Sequence, residues 1–89
     1  MTSVRLTITG RVQGVFFRHS AKKLADSLGL VGFAANQADG SVLIEISGNQ
    51  ASLEQFVKWC HQGPELARVD GVKVEEETGQ DKAVGFTII

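Results

Sequence analysis

The order in which two hydrophobic periods alternate along the chain constrains its fold more than any other feature. Apolar residues at every second position predict strands, and apolar residues three and four positions apart predict helices. The segments follow one another as strand, helix, strand, strand, helix, strand and a final short strand. The predicted strands cover residues 4–9, 31–36, 41–47, 67–77 and 84–89, and the predicted helices cover 17–28 and the stretch between Asn49 and Gly63.

This order predicts an α+β fold, the ferredoxin-like sandwich (βαββαβ), in which two helices cover one face of an antiparallel sheet. A chain of 89 residues is too short for two ordinary domains, so we expect a single domain over residues 1–89. The same topology serves many unrelated functions, and the function therefore has to be argued from individual residues.

Turn and capping residues support the proposed boundaries. Gly29 has the position of a C-terminal cap for the first helix, and Asn49 has the position of an N-terminal cap for the second. Gly63-Pro64 ends the second helix, and Asp39-Gly40 predicts a hairpin turn between the second and third strands. We expect a polar connection at residues 78–82, and we interpret the acidic run at residues 75–77 as an exposed edge-strand feature.

Charge and cysteine content exclude several classes of protein. The formal net charge of −1 gives no electrostatic footprint for nucleic acid. No apolar run is long enough to cross a membrane, the first residues lack the layout of a signal peptide, and a single cysteine, Cys60, excludes an internal disulfide. We therefore expect a cytoplasmic protein with no membrane and no nucleic-acid partner, a monomer by default. The charges are nevertheless uneven, since no acidic residue precedes Asp26.

The segment between the first strand and the first helix is the strongest candidate for a binding site. Gly10 and Gly14 bracket a turn whose backbone N–H groups, together with the free amides of the helix N-terminus, favour an anion. Arg18 then places a cation in the first helical turn, where the helix dipole disfavours it and where a bound phosphate would compensate. We expect Phe16 and Phe17 to pack into the core beneath this turn.

Asn36, at the end of the second strand, is the second unusual residue, because asparagine is depleted in strands. Initiation of the hairpin turn explains it equally well on sequence alone. A side-chain amide offers both a donor and an acceptor, which suits orientation of a water molecule.

The chemistry that is missing narrows the reaction. A cysteine phosphatase needs a thiolate six residues before its loop arginine, and Val12 occupies that position. The first strand, turn and helix hold no cluster of metal ligands; His19 is interpreted as a solvated helix residue and Cys60 as buried and inert. The nucleophile is then water, and since no general acid is evident, the leaving group should be a carboxylate. A mixed anhydride of a carboxylic acid and phosphate fits these constraints.

The chain resembles the acylphosphatase family. Residues 10–18, Gly-Arg-Val-Gln-Gly-Val-Phe-Phe-Arg, are similar to the first family signature, residues 32–42 are similar to the second, and Gly63-Pro64 through residue 69 also match. The resemblance implies the ferredoxin-like fold and hydrolysis of acyl phosphates to a carboxylate and inorganic phosphate, without metal or cofactor. It also implies that Arg18 and the turn amides bind phosphate and that Asn36 positions the attacking water. The residues that would provide those amides are Gly14, Val15, Phe16 and Phe17.

The sequence departs from the family at two positions and leaves two other functions open. Ala35 stands where many members carry a basic residue, and Ile89 stands where an aromatic or charged residue is common. One alternative is a non-catalytic phosphate-binding or anion-binding module of the same fold. An RNA-binding sheet is the other, although the third strand has no aromatic residue on which a base could stack.

Overall fold

The computed structural model describes residues 2–77 and 84–89. These form five strands and two helices, all in the predicted order. The elements are β1 (Thr2–Arg11), α1 (Phe17–Leu28), β2 (Val31–Asn36), β3 (Val42–Gly48), α2 (Gln50–Cys60), β4 (Arg68–Glu77) and β5 (Phe86–Ile88). The last strand is shorter than predicted, and the predicted polar connection at 78–82 lies outside the described residues.

The strands form one sheet in the order β4-β1-β3-β2-β5. The first four pair with one another in antiparallel orientation, with Leu6 of β1 opposite Ile44 of β3 on one side and Val74 of β4 on the other. β5 pairs with β2 in parallel, so the five-stranded sheet is mixed. The ferredoxin-like fold, with both helices packed on the sheet, is confirmed.

Period-2 alternation places the core on one face of the sheet. Leu6, Ile8, Ile44 and Ile46 are buried on adjacent central strands, and the apolar stripes of the two helices pack against them. Phe56 of α2 connects the helix layer to the sheet. Its ring lies 6.0 Å from that of Trp59 in the same helix and 6.3 Å from that of Phe86 in β5. The core therefore holds α1, α2 and both ends of the sheet in one packed unit.

The predicted helix caps are confirmed. Gly29 adopts a left-handed conformation with φ 70° at the end of α1, and its N–H bonds to the last carbonyl groups of the helix. Asn49 precedes α2, and its side-chain oxygen accepts a hydrogen bond of 2.8 Å from the N–H of Ser52. The acidic run also lies where expected, on the outer strand β4, with Glu75 and Glu76 exposed.

Candidate active site

The turn between β1 and α1 combines two left-handed residues. Gly14 has φ 74° and Phe16 has φ 64°, and they flank Val15, whose side chain is buried. A chain that alternates between left-handed and right-handed conformations directs successive N–H groups into one concavity, which is the geometry of an anion-binding nest. A Cβ atom built on Gly14 would meet no protein atom within 4 Å, so this side of the turn is open to a ligand.

The N-terminus of α1 leaves its amides unpaired within the helix. The first helical hydrogen bond runs 3.0 Å from the N–H of Ser20 to the carbonyl of Phe16, and the N–H groups of Phe17, Arg18 and His19 therefore precede the helical ladder. No side chain caps this end, and the first turn contains no acidic residue. The partial positive charge of the helix N-terminus is thus left for an external anion.

Arg18 is half-buried and is positioned by the end of the sheet. Its Nη1 donates a hydrogen bond of 2.8 Å to the backbone oxygen of Ile89, immediately after β5. Since this is the only hydrogen bond of the guanidinium within the described part of the chain, most of its five donors are free for a ligand. Ile89, noted above as a departure from the family pattern, therefore contacts Arg18 through its backbone, while its side chain is exposed.

The exposed residue Asn36 ends β2 and lies in the same cleft as Arg18. The cleft has a volume of about 290 Å³ and is lined by Val12, Gly14, Phe16, Phe17, Arg18, His19, Asn36 and Ile88. The fold thus brings Arg18 at the helix N-terminus and Asn36 at the strand end, 18 positions apart in the sequence, into one cleft with the turn. Of the predicted site residues only Val15 does not line the cleft, because its side chain points into the core.

The two adjacent phenylalanines behave differently, and the prediction for one of them is wrong. Phe17 is buried as expected, with its ring 5.2 Å from that of Trp59. Phe16, which was expected to pack beneath the turn, is 69% exposed at the cleft. The left-handed backbone of Phe16 is the reason, because it turns the two successive side chains to different sides of the chain.

Gln13 is a site-supporting residue that the sequence analysis missed. Its Nε2 donates hydrogen bonds of 2.8 Å to the carbonyl of Gln37 and 3.0 Å to the carbonyl of Ser41. These bonds tie the β1–α1 turn to the β2–β3 hairpin and so fix the position of Asn36 relative to the turn. The only signal in the sequence was a polar side chain inside a glycine-bracketed turn, which does not reveal a partner 24 or more residues away.

The hairpin has a second local support. Asp39 Oδ1 accepts hydrogen bonds from the N–H of Ser41 at 2.9 Å and from its hydroxyl group at 2.6 Å. These bonds favour the ionised carboxyl, and the pKa of Asp39 is therefore lowered. The hairpin that presents Asn36 is thus fixed by its own aspartate as well as by Gln13.

The remaining titratable candidates lie mostly away from the cleft. Cys60 is buried in the core, and burial raises the pKa of its thiol, in agreement with the inert role expected for it. His61 is exposed immediately after α2, and its Nδ1 lies 3.0 Å from the carbonyl oxygen of Val57. His19 is exposed as expected, and it also lines the cleft.

The arrangement suits a small oxyanion such as a phosphate group. A dianion placed at the turn would meet backbone N–H donors on one side and a guanidinium on another, and charge-assisted bonds of this kind are strong. The amide of Asn36 has no partner among the described residues and could hold a water molecule at the edge of the same site.

The chain is similar to known proteins over nearly its whole length. Residues 4–88 match the acylphosphatase family. The chain is 46% identical over 85 residues to an acylphosphatase from Rubrobacter xylanophilus, covering 96% of this chain and 77% of the relative. The crystal structure of acylphosphatase from Bacillus subtilis superposes with a TM-score of 0.96 at 32% identity, covering 100% and 99% of the two chains. An acylphosphatase structure from Coxiella burnetii gives a TM-score of 0.93 at 35% identity, covering 99% and 92%.

Proposed function

We propose, because this chain belongs to the acylphosphatase family, that its cleft hydrolyses acyl phosphates to a carboxylate and inorganic phosphate without a metal ion. Family membership favours the enzyme over the non-catalytic anion-binding module. The observation that carries the proposal is the meeting of an uncapped helix N-terminus, Arg18 and Asn36 in one cleft.

In this proposal the phosphate group lies in the β1–α1 turn. The backbone N–H groups of Gly14, Val15, Phe16 and Phe17 and the guanidinium of Arg18 bind its oxygens. These donors are already oriented before the substrate arrives, so they stabilise the charge that develops on the phosphoryl oxygens without reorganisation. Ile89 supports this role, because its backbone oxygen holds one arm of Arg18.

Asn36 holds the attacking water in line with the bond that breaks. The water oxygen forms a bond to phosphorus while the bond between phosphorus and the acyl oxygen breaks, and the carboxylate leaves with the electron pair. A carboxylate with a pKa of about 4 leaves without protonation, so no general acid is required. A phosphate oxygen of the substrate accepts the water proton. Alignment of the water by Asn36 then accelerates the reaction, because the nucleophile is already positioned for attack.

The donor set also supports a reaction without a metal ion. Within residues 2–77 and 84–89, no three histidine, cysteine or carboxylate side chains are close enough to hold one. Excess chelator should therefore leave the activity unchanged.

We further propose that the enzyme works in the cytoplasm as a monomer, without a membrane or nucleic-acid partner. The single cysteine supports a reducing compartment, and the net charge of −1 gives no electrostatic footprint for nucleic acid. Neither α1 nor α2 has the length and apolar content needed to span a membrane, a finding limited to the described residues. Light scattering after gel filtration tests the monomer, since a mass of about twice 9.6 kDa would contradict it.

The test is hydrolysis of benzoyl phosphate in excess chelator by the wild type and two matched arginine variants. Arg18→Ala should lower the turnover rate by on the order of 10³-fold, as expected for an arginine that clamps a phosphoryl group. Arg11→Ala removes the same charge from an exposed position outside the cleft, and we expect it to retain the wild-type rate. A folded wild type that binds phosphate but hydrolyses nothing would instead establish the anion-binding module.

A further inference from the structure

Phe16 combines an unfavourable backbone conformation with an exposed aromatic side chain. It is the only non-glycine residue with positive φ in the described part of the chain, and that conformation costs a residue with a Cβ atom on the order of 1 kcal/mol. Its side chain is 69% exposed, so burial does not compensate. Glycine would satisfy the turn better, which indicates that the aromatic ring has a role outside folding.

The ring of Phe16 is separate from the core but part of the cleft. Phe17 already provides the aromatic contact to the core through Trp59. Phe16 instead lines the cleft together with Arg18 and Asn36. An exposed apolar ring at the rim of a site that also holds a guanidinium and a side-chain amide is suited to contact the apolar part of a ligand.

The direction in which the leaving group departs places that apolar part. Asn36 and Ile88 contribute to the cleft from β2 and β5, which are hydrogen-bonded neighbours, whereas Gly14 and Phe16 contribute from the turn. In a displacement at phosphorus the nucleophile and the leaving group lie on opposite sides. With water held at Asn36 on β2, the acyl group departs away from Asn36, and the exposed ring of Phe16, which belongs to the turn and not to the strands, is available to contact it.

We infer that Phe16 is a specificity residue whose ring contacts the acyl group and favours acyl phosphates with aromatic or bulky apolar acyl groups over acetyl phosphate. The inference rests on the proposed function and deepens it by naming the substrate class. Contact with one aromatic ring at an open rim should favour an aromatic acyl group by about 3- to 10-fold.

The experiment measures kcat/KM for benzoyl phosphate and for acetyl phosphate in the wild type and in Phe16→Gly. The two substrates share the phosphate group, so any change in phosphate binding affects both and cancels in their ratio. Phe16→Gly should lower the benzoyl-to-acetyl ratio of kcat/KM by about 3- to 10-fold. Phe16→Tyr, which keeps an aromatic ring, should retain the wild-type ratio. Leu66→Ala removes a similarly exposed apolar side chain outside the cleft, and the ratio should not change.

The outcomes separate the inference from the proposed function. If the wild type hydrolyses both substrates and the ratio stays the same in Phe16→Gly, the specificity role is wrong and the enzyme assignment stands. If the wild type hydrolyses neither substrate, the proposed function is overturned and the inference with it. Glycine relieves the backbone strain at this position. Asparagine also tolerates positive φ, so Phe16→Asn is a second variant without the ring, and it should lower the benzoyl-to-acetyl ratio in the same way.

Discussion

The two halves of the chain each run strand, helix, strand, but they begin their helices in different ways. In the second half, Asn49 has extended backbone with φ −75° and its side chain caps α2 through the N–H of Ser52. In the first half, Phe16 has φ 64°, and no side chain caps α1. One connection satisfies its amides internally and stabilises the fold. The other leaves them for a ligand, and it is the one beside Arg18 and Asn36.

Among variants that compare the two halves, the largest effect is expected from removing the side-chain amide of Asn36 in the first half. Asn36→Ala should slow turnover by about 10²-fold, because the attacking water loses its orientation. Inhibition by inorganic phosphate should change little, since Arg18 and the turn amides remain, and the exposed side chain of Asn36 contributes little to stability. Steady-state kinetics with phosphate as inhibitor measure both quantities. Equal losses in rate and in phosphate affinity would contradict a water-orienting role.

The second prediction gives each helix an acidic residue at the same distance from its N-terminus. His19 and Ser52 each lie three residues after the residue that precedes the first helical turn, Phe16 and Asn49 respectively. His19→Glu and Ser52→Glu should each stabilise their helix by about 0.3 to 1 kcal/mol through the helix dipole. Only His19→Glu should also weaken phosphate binding, by about 10-fold, because it places a like charge in the cleft.

Urea unfolding and phosphate inhibition constants, measured for both glutamate variants, test this difference. Equal inhibition by phosphate in the two variants would contradict the proposed difference between the N-terminus of α1 and that of α2. It would also show that the anion does not lie at the N-terminus of α1.

The third prediction applies the same asparagine-to-alanine change to the second half. Asn49→Ala should lower the free energy of unfolding by about 1 kcal/mol, because the N–H of Ser52 loses its acceptor. Turnover per folded molecule should remain that of the wild type, since Asn49 does not line the cleft. Thermal unfolding monitored by circular dichroism, with an activity assay well below the transition, gives both values. A large loss of activity in the folded variant would show that the cap of α2 affects the cleft as well as stability.

The smallest effect concerns the pH dependence of the hairpin that carries Asn36. Ser41 lowers the pKa of Asp39 in the folded protein, so the ionised carboxyl contributes stability above its ordinary pKa. That contribution is lost as the pH falls through the lowered value. Asp39→Asn should therefore weaken the dependence of the urea midpoint on pH between neutral pH and about pH 3. An unchanged pH dependence would mean that the bonds to Ser41 do not favour the ionised carboxyl of Asp39 over the protonated one.

Hydrophobic periodicity was sufficient to predict the fold because the central strands and both helices bury one face. Leu6 and Ile44 alternate with outward-facing residues, and Ala21 and Ala25 recur at helical spacing, so local sequence and burial agree. The parallel pairing of β5 with β2 was not predicted. Nothing within the short segment 84–89 specifies which strand it joins, because that choice depends on where the rest of the sheet ends.

The site was predictable to the extent that its residues violate local rules. Arg18 in a first helical turn and Asn36 in a strand are both locally unfavourable, and the cleft contains both. Gln13 was missed because its partners, the carbonyls of Gln37 and Ser41, are distant in sequence. The exposure of Phe16 was not foreseen because it follows from a positive φ, which sequence patterns seldom predict for an aromatic residue.

The position of β1 in the sheet determines when the chain can fold. β1 lies between β3 and β4, and its pairs with β4 run from Arg11 with Arg68 to Ser3 with Glu77. Contacts between such distant residues form late, because long segments of chain must be ordered before they are made, and we expect folding on a timescale of milliseconds to seconds. On the ribosome, β1 remains an open edge until β4 has emerged, and open edges recruit other chains. The half that carries the β1–α1 turn is synthesised first, but it depends on the last long strand to complete its sheet.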